Sequence, residues 1–186
     1  PWLRIGVFSG IHGDEPSGIH ALVALIHELH ENPELARGLE VHFYPVCNPS
    51  GYVDGTRWLR GGPDMNREFW KNSAEPEVRI LEGDLERLHF DGLVSLHSDD
   101  TSDGIYGYVG GDVLTKHLLE PALRAASTHL PRNTSGVIDG WNADRSIIEE
   151  GYAGVLSANP LQQPKPFEIV FETPACAPEP LQIAAH

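Results

Sequence analysis

Basic residues are scarce in this sequence. Its 186 residues hold 13 Lys and Arg against 27 Asp and Glu, a formal net charge of −14. A surface this acidic repels nucleic acid and anionic membranes, so neither is an expected partner. Cysteine is scarcer still. Cys47 and Cys176 fit no metal spacing and make no disulfide framework, which points to a reducing cytoplasm. No apolar run approaches the length of a membrane span, and the first residues lack a charged-then-apolar leader pattern. Repeats, low-complexity tracts and linker-like stretches are also missing. The chain opens on Pro1-Trp2 rather than Met, so a preceding segment is expected, and export by a removed leader stays open.

What is present reads as one globular domain over residues 1–186, with 40% hydrophobic and 22% charged residues. WLRIGVFS and LEVHFYPV are expected strands, as are GLVSLH and PFEIVF. Between the first two, PSGIHALVALIHELHE sets Ile19, Leu22, Val23, Ile26 and Leu29 at helical spacing, with Pro16 in the first turn. EPEVRILEGDLERLHF does the same with Val78, Leu81, Leu85 and Leu88, and VLTKHLLEPALRAASTHL reads as a helix interrupted at Pro121. Strands alternating with helices predict an α/β fold with helices on both faces of the sheet. Residues 49–63 and 98–112 are expected as long loops of the kind that carry function.

Ligands of an open α/β sheet gather at the carboxyl ends of its strands. SGIHGDEPSG places His12 and Glu15 where the first strand gives way to a helix. Imidazole and carboxylate are both good zinc ligands, and a spacing of three lets them turn to one point. The alternative is a polar turn in which Asp14 or Glu15 caps the helix. Among ten histidines, His97 in GLVSLHSDD also ends an apolar strand before a polar loop. His27 and His30 stand at a chelating i, i+3 spacing but read as solvated helix residues. His42, His89, His117, His129 and His186 have no acidic or histidine partner at ligand spacing. His12, Glu15 and His97 are therefore the set expected to converge.

The segment NPSGYVDGTRWLRGGPDMNREF, residues 48–69, follows the second strand. Together with HGDE and VSLH it resembles the zinc carboxypeptidase family, with its nearest likeness in the bacterial murein peptide amidases. Those enzymes cleave γ-glutamyl–diaminopimelate bonds and show HGDE, NPxG, a glycine-arginine stretch, DxNRxF and VSxH. The related succinylglutamate desuccinylase/aspartoacylase branch shares HGDE or HGNE and the NR pair, but usually has NPxA and a shorter loop. The likeness runs from residue 5 to about residue 175 and implies a three-layer α/β/α fold around a mixed sheet.

The resemblance implies roles position by position. His12, Glu15 and His97 would hold one Zn²⁺ per chain, and Asp64 would orient the first histidine. Arg57 would stabilise the oxyanion, with Arg60 the fallback, while Asn66 and Arg67 would grip a substrate carboxylate. A late-strand glutamate would be the general acid–base. FEIVFETP offers Glu168 and Glu172, and Glu172 is preferred because it lies at the strand's carboxyl end. Tyr152 is the expected substrate-capping tyrosine, with Tyr106 and Tyr108 as competitors. The implied activity is hydrolysis of a peptide or amide bond beside a free carboxylate. Two alternatives are a deacylase of N-acyl amino acids and a metal-free binding module.

Overall fold

The computed structural model describes residues 3–149 and 155–186. Four strands form a parallel centre: β1 (Leu3–Phe8), β2 (Leu39–Tyr44), β3 (Gly92–Asp99) and β8 (Phe167–Pro174), in the order β2-β1-β3-β8. Next comes β4 (Tyr106–Val109), antiparallel to β8. The short strands β7 (Ile147–Ile148), β6 (Trp141–Asp144) and β5 (Val137–Ile138) extend that edge. The eight-stranded sheet is mixed, as the expected fold class requires.

Helices cover both faces. Proline opens α1 (Pro16–Glu31), α2 (Pro49–Asp54) and α3 (Pro76–Leu88), where its fixed φ and missing N–H suit the first turn. On one face, Val78, Leu81, Leu85 and Leu88 of α3 pack against Phe8, Phe90 and Leu93 of the sheet side. On the other, Leu22 of α1, Leu123 of α5 (Glu120–Ala126) and Ala185 of α6 (Glu179–Ala185) pack with Val7, Leu96 and Phe171. Side chains alternate across a strand. Leu93 faces α3 and Leu96 the opposite layer, which puts Ser95 and His97 on the α3 side as well.

Four expectations change in detail. Val23 is 42% exposed, because only the first turns of α1 press on the sheet. The segment 98–112 is not all loop: it contains β4, where Gly107 lets Leu119 and the Val170 carbonyl approach closely. Likewise 49–63 begins with α2, capped by the Asn48 side chain, which accepts from the Gly51 amide at 2.8 Å. Ahead of Pro121, α4 (Asp112–Leu114) runs into a π-helical turn, Thr115–Leu119. The proline then falls in the first turn of α5, so the helix is underwound before it rather than broken at it.

Candidate metal and catalytic site

The HGDE loop leaves β1 and lies against the start of α2. A side chain at Gly13 would fall 1.9 Å from the Gly51 backbone, so glycine is needed for the two loops to meet. This contact fixes His12 and Glu15 beside the carboxyl end of β3. Glu15 is the residue before α1 but makes no capping bond with its side chain. Its carboxylate instead faces two imidazoles: Oε1 lies 2.5 Å from Nδ1 of His12 and Oε2 lies 2.9 Å from Nδ1 of His97. The Ser98 amide donates to the same Oε2 at 3.1 Å. All three residues are buried, and among the described residues they are the one group of metal-ligating side chains whose donor atoms lie within 4.8 Å of one another.

Asp64 organises the other side of His12. Its Oδ1 lies 3.2 Å from Nε2 of His12 and accepts from the Asn66 amide at 2.9 Å. Its Oδ2 accepts from Arg57 through Nε at 3.1 Å and lies 2.9 Å from Nη2. With a proton on Nε2 held by Asp64, Nδ1 of His12 presents a lone pair to Glu15. Two acceptor atoms so close require a shared cation between them, a proton or a metal. The two imidazoles and one carboxylate match a three-ligand catalytic zinc set, with a carboxylate behind the first histidine.

Titration directions agree with a charge-coupled cluster. Burial pulls His12 toward neutrality, but the bonds to Asp64 and Glu15 outweigh it and raise its pKa. Burial likewise opposes ionisation of Glu15, yet the His97 charge and the two histidine bonds bring it down to about 2. Glu172 goes the other way. Burial and the charges of Glu15, Asp99 and Asp139 push its carboxyl well above the usual range, against a weaker pull from Arg57.

The cluster lines a cleft of about 410 Å³ together with Arg57, Asn66, Arg67 and Glu172. Glu172 pairs in register with His97 on one side and Tyr106 on the other. Asn66 is buried, and its Oδ1 accepts from the Leu156 amide at 2.7 Å. Arg60 lies outside, paired with Asp54 at 2.6 Å on the surface. Glu168 is four residues down β8 and does not line the cleft. Tyr106 does, with its hydroxyl donating to Asp99 at 2.8 Å. Tyr108 does not line it, and Tyr152 lies outside the described residues. Sequence reasoning weighed Asp14 only as a helix cap and passed over Asp99, Asp100 and Asp139, which complete an acidic rim with it. The run SLHSDD carried a signal for two of these, since Asp99 and Asp100 follow His97 directly. His186, read as having no acidic or histidine partner at ligand spacing, is half-buried with Nε2 3.1 Å from the Thr173 hydroxyl. Burial lowers its pKa to about 4.

A mixed sheet with two histidines and a glutamate gathered at its carboxyl edge defines a metallocarboxypeptidase-like hydrolase fold. The chain belongs to the succinylglutamate desuccinylase/aspartoacylase catalytic domain family, whose model matches residues 2–130. The match falls on the branch that the sequence motifs rank as related to the murein peptide amidases. No curated protein matches the chain. Among solved structures, a candidate metallopeptidase from Shewanella denitrificans OS217 is similar with a TM-score of 0.83 at 21% identity. The match covers 98% of this chain and 71% of that one. A metallo-carboxypeptidase from Burkholderia cenocepacia gives 0.69 at 19% identity, over 100% and 54% of the two chains. The product-bound ectoine utilization protein EutE (DoeB) from Ruegeria pomeroyi gives 0.59 at 17%, over 99% and 54%. At these identities the likeness concerns the fold. No helix among the described residues is long and apolar enough to cross a membrane.

Proposed function

We propose that this protein is a zinc-dependent hydrolase that cleaves an amide or peptide bond next to a free carboxylate. One observation carries the reading: His12, Glu15 and His97 converge in the same cleft as Arg57, Arg67 and Glu172. When bound by the three ligands, zinc supplies Lewis acidity, polarising the scissile carbonyl and making water a nucleophile near neutral pH. Asp64 holds the proton on Nε2 of His12, which keeps Nδ1 free to ligate. Glu172 accepts the proton of the attacking water and delivers it to the leaving nitrogen. Its raised pKa suits both halves of that transfer. Arg57, held by Asp64, turns its guanidinium toward the developing oxyanion. Arg67 grips the substrate carboxylate with its planar fork, and the buried Asn66 braces the segment from Leu156.

A second reading changes the substrate to a small N-acyl amino acid and is favoured by the family match. Both readings keep the carboxylate beside the scissile bond. Hydrolysis of a peptide panel against N-acetyl and N-succinyl amino acids by the zinc-loaded protein separates them. Equal rates on free and amidated substrates would contradict both.

A further inference from the structure

Beside the cleft, on the α3 face of the sheet, lies a smaller pocket of about 80 Å³ lined by Leu93, Ser95, Tyr108, Leu156 and Glu168. It shares Val155 and Val170 with the cleft. Strand register explains the continuity. His97, Glu172 and Tyr106 form one row across β3, β8 and β4, and Ser95, Val170 and Tyr108 form the next. Two residues along a strand span roughly 6.6 Å, so the second row begins about that far from the metal-ligand row. Glu168 stands one row further, beside Leu93.

Two polar groups in this pocket have unused hydrogen-bonding capacity. Ser95 is 5% exposed, and its hydroxyl has no hydrogen-bond partner. Such buried orphans are rare in native proteins. Glu168 accepts from the Ala158 amide at 2.8 Å, one bond for a carboxylate that can accept about four. The segment above the pocket is tied at both ends. Leu156 donates to Asn66 in the cleft, and Ala158 donates to Glu168.

We propose that this pocket receives the side chain of the amino acid bearing the substrate's free carboxylate. Ser95 and Glu168 there select a short aminoalkyl chain ending in an ammonium group. The inference rests on the carboxylate-adjacent amide reading above. An ammonium brings three donors and the opposite charge, while its three- or four-carbon stem lies along Leu93 and Val170. An apolar side chain would leave the Ser95 hydroxyl unpaired and the spare acceptors of Glu168 unfilled, and an acidic one would meet the Glu168 carboxylate.

The test uses the zinc-loaded full chain in two arms. N-acetylated and dipeptide substrates ending in ornithine, norleucine or glutamate measure kcat/KM, and calorimetry with the free amino acids measures binding without turnover. Ornithine should exceed norleucine by roughly 10–100-fold in both arms, the range of a hydrogen bond to a charged group. E168Q should bring that ratio close to one. S95A, which breaks no existing bond, should lower it severalfold and decides the matter if E168Q fails to fold. Norleucine matching ornithine in both arms overturns the pocket assignment, whatever the turnover. Ornithine-selective binding without hydrolysis of any substrate upholds the pocket and overturns the proposed function instead.

Discussion

Glu168 and Glu172 lie four residues apart on one strand and one face of the sheet, yet they sit in different chemistry. Burial raises the pKa of both. Glu172 stands beside His97 in the cleft, among the carboxylates of Glu15, Asp99 and Asp139. Glu168 stands beside Leu93, where the bond from the Ala158 amide and, less strongly, the charge of Lys165 hold part of that rise back. A perturbed carboxyl therefore does not mark a general base by itself. Position at the carboxyl edge, within reach of the metal ligands, separates a candidate for proton transfer from a candidate for selection.

The largest expected effect breaks this comparison directly. Glu172→Gln keeps the shape but cannot take a proton, so kcat should fall by about 10²–10⁴-fold with zinc content unchanged. Glu168→Gln should change kcat less than tenfold and act on substrate preference. Reversal of the two results means that the wrong glutamate has been placed at the chemistry. A parallel pair follows: Arg57→Ala should lower kcat by about 10²–10³-fold, the usual loss of one oxyanion donor. Arg60→Ala, three residues on, should leave kcat within twofold, since its partner is Asp54 on the surface; similar losses would mean both arginines reach the substrate. Arg67→Lys should cost roughly 10–100-fold in kcat/KM, since a point charge replaces a bidentate fork. Amidating the substrate carboxylate should cost a similar amount, and a wild-type-like rate in either case removes Arg67 from the grip.

The smallest effect separates Glu15 from Glu172 by sign. The carboxyl of Glu15 is held down from 4.5 to about 2, so its contribution to stability is present above 4.5 and lost as pH falls toward 2. The carboxyl of Glu172 is raised above 4.5, so its contribution is present below 4.5 and lost as pH rises through the folded value. Urea unfolding of metal-free Glu15→Gln and Glu172→Gln variants across pH should flatten opposite limbs of the profile. The same limb affected in both would contradict these directions.

Much of the parallel centre was legible because its strands are short, largely apolar runs and its helices open on proline. β5 to β7 were not, since two-residue strands and the polar WNAD carry no periodic pattern. β4 was hidden by the glycines and polar residues around it, and by Gly107, whose role is a contact with Leu119 far along the chain. The cluster of His12, Glu15 and His97 was legible because HxxE and a strand-end histidine mark the carboxyl edge. The side pocket was not. Its residues lie on three strands, and only register brings Ser95, Tyr108 and Glu168 to one face.

The central claim is that His12, Glu15 and His97 hold the metal on which hydrolysis depends. Metal analysis of purified wild type and His97→Ala, each dialysed against limiting zinc, tests it most directly. About one zinc per wild-type chain is expected, with none retained by the variant and an unchanged circular dichroism spectrum. Full zinc occupancy in folded His97→Ala would contradict the assignment.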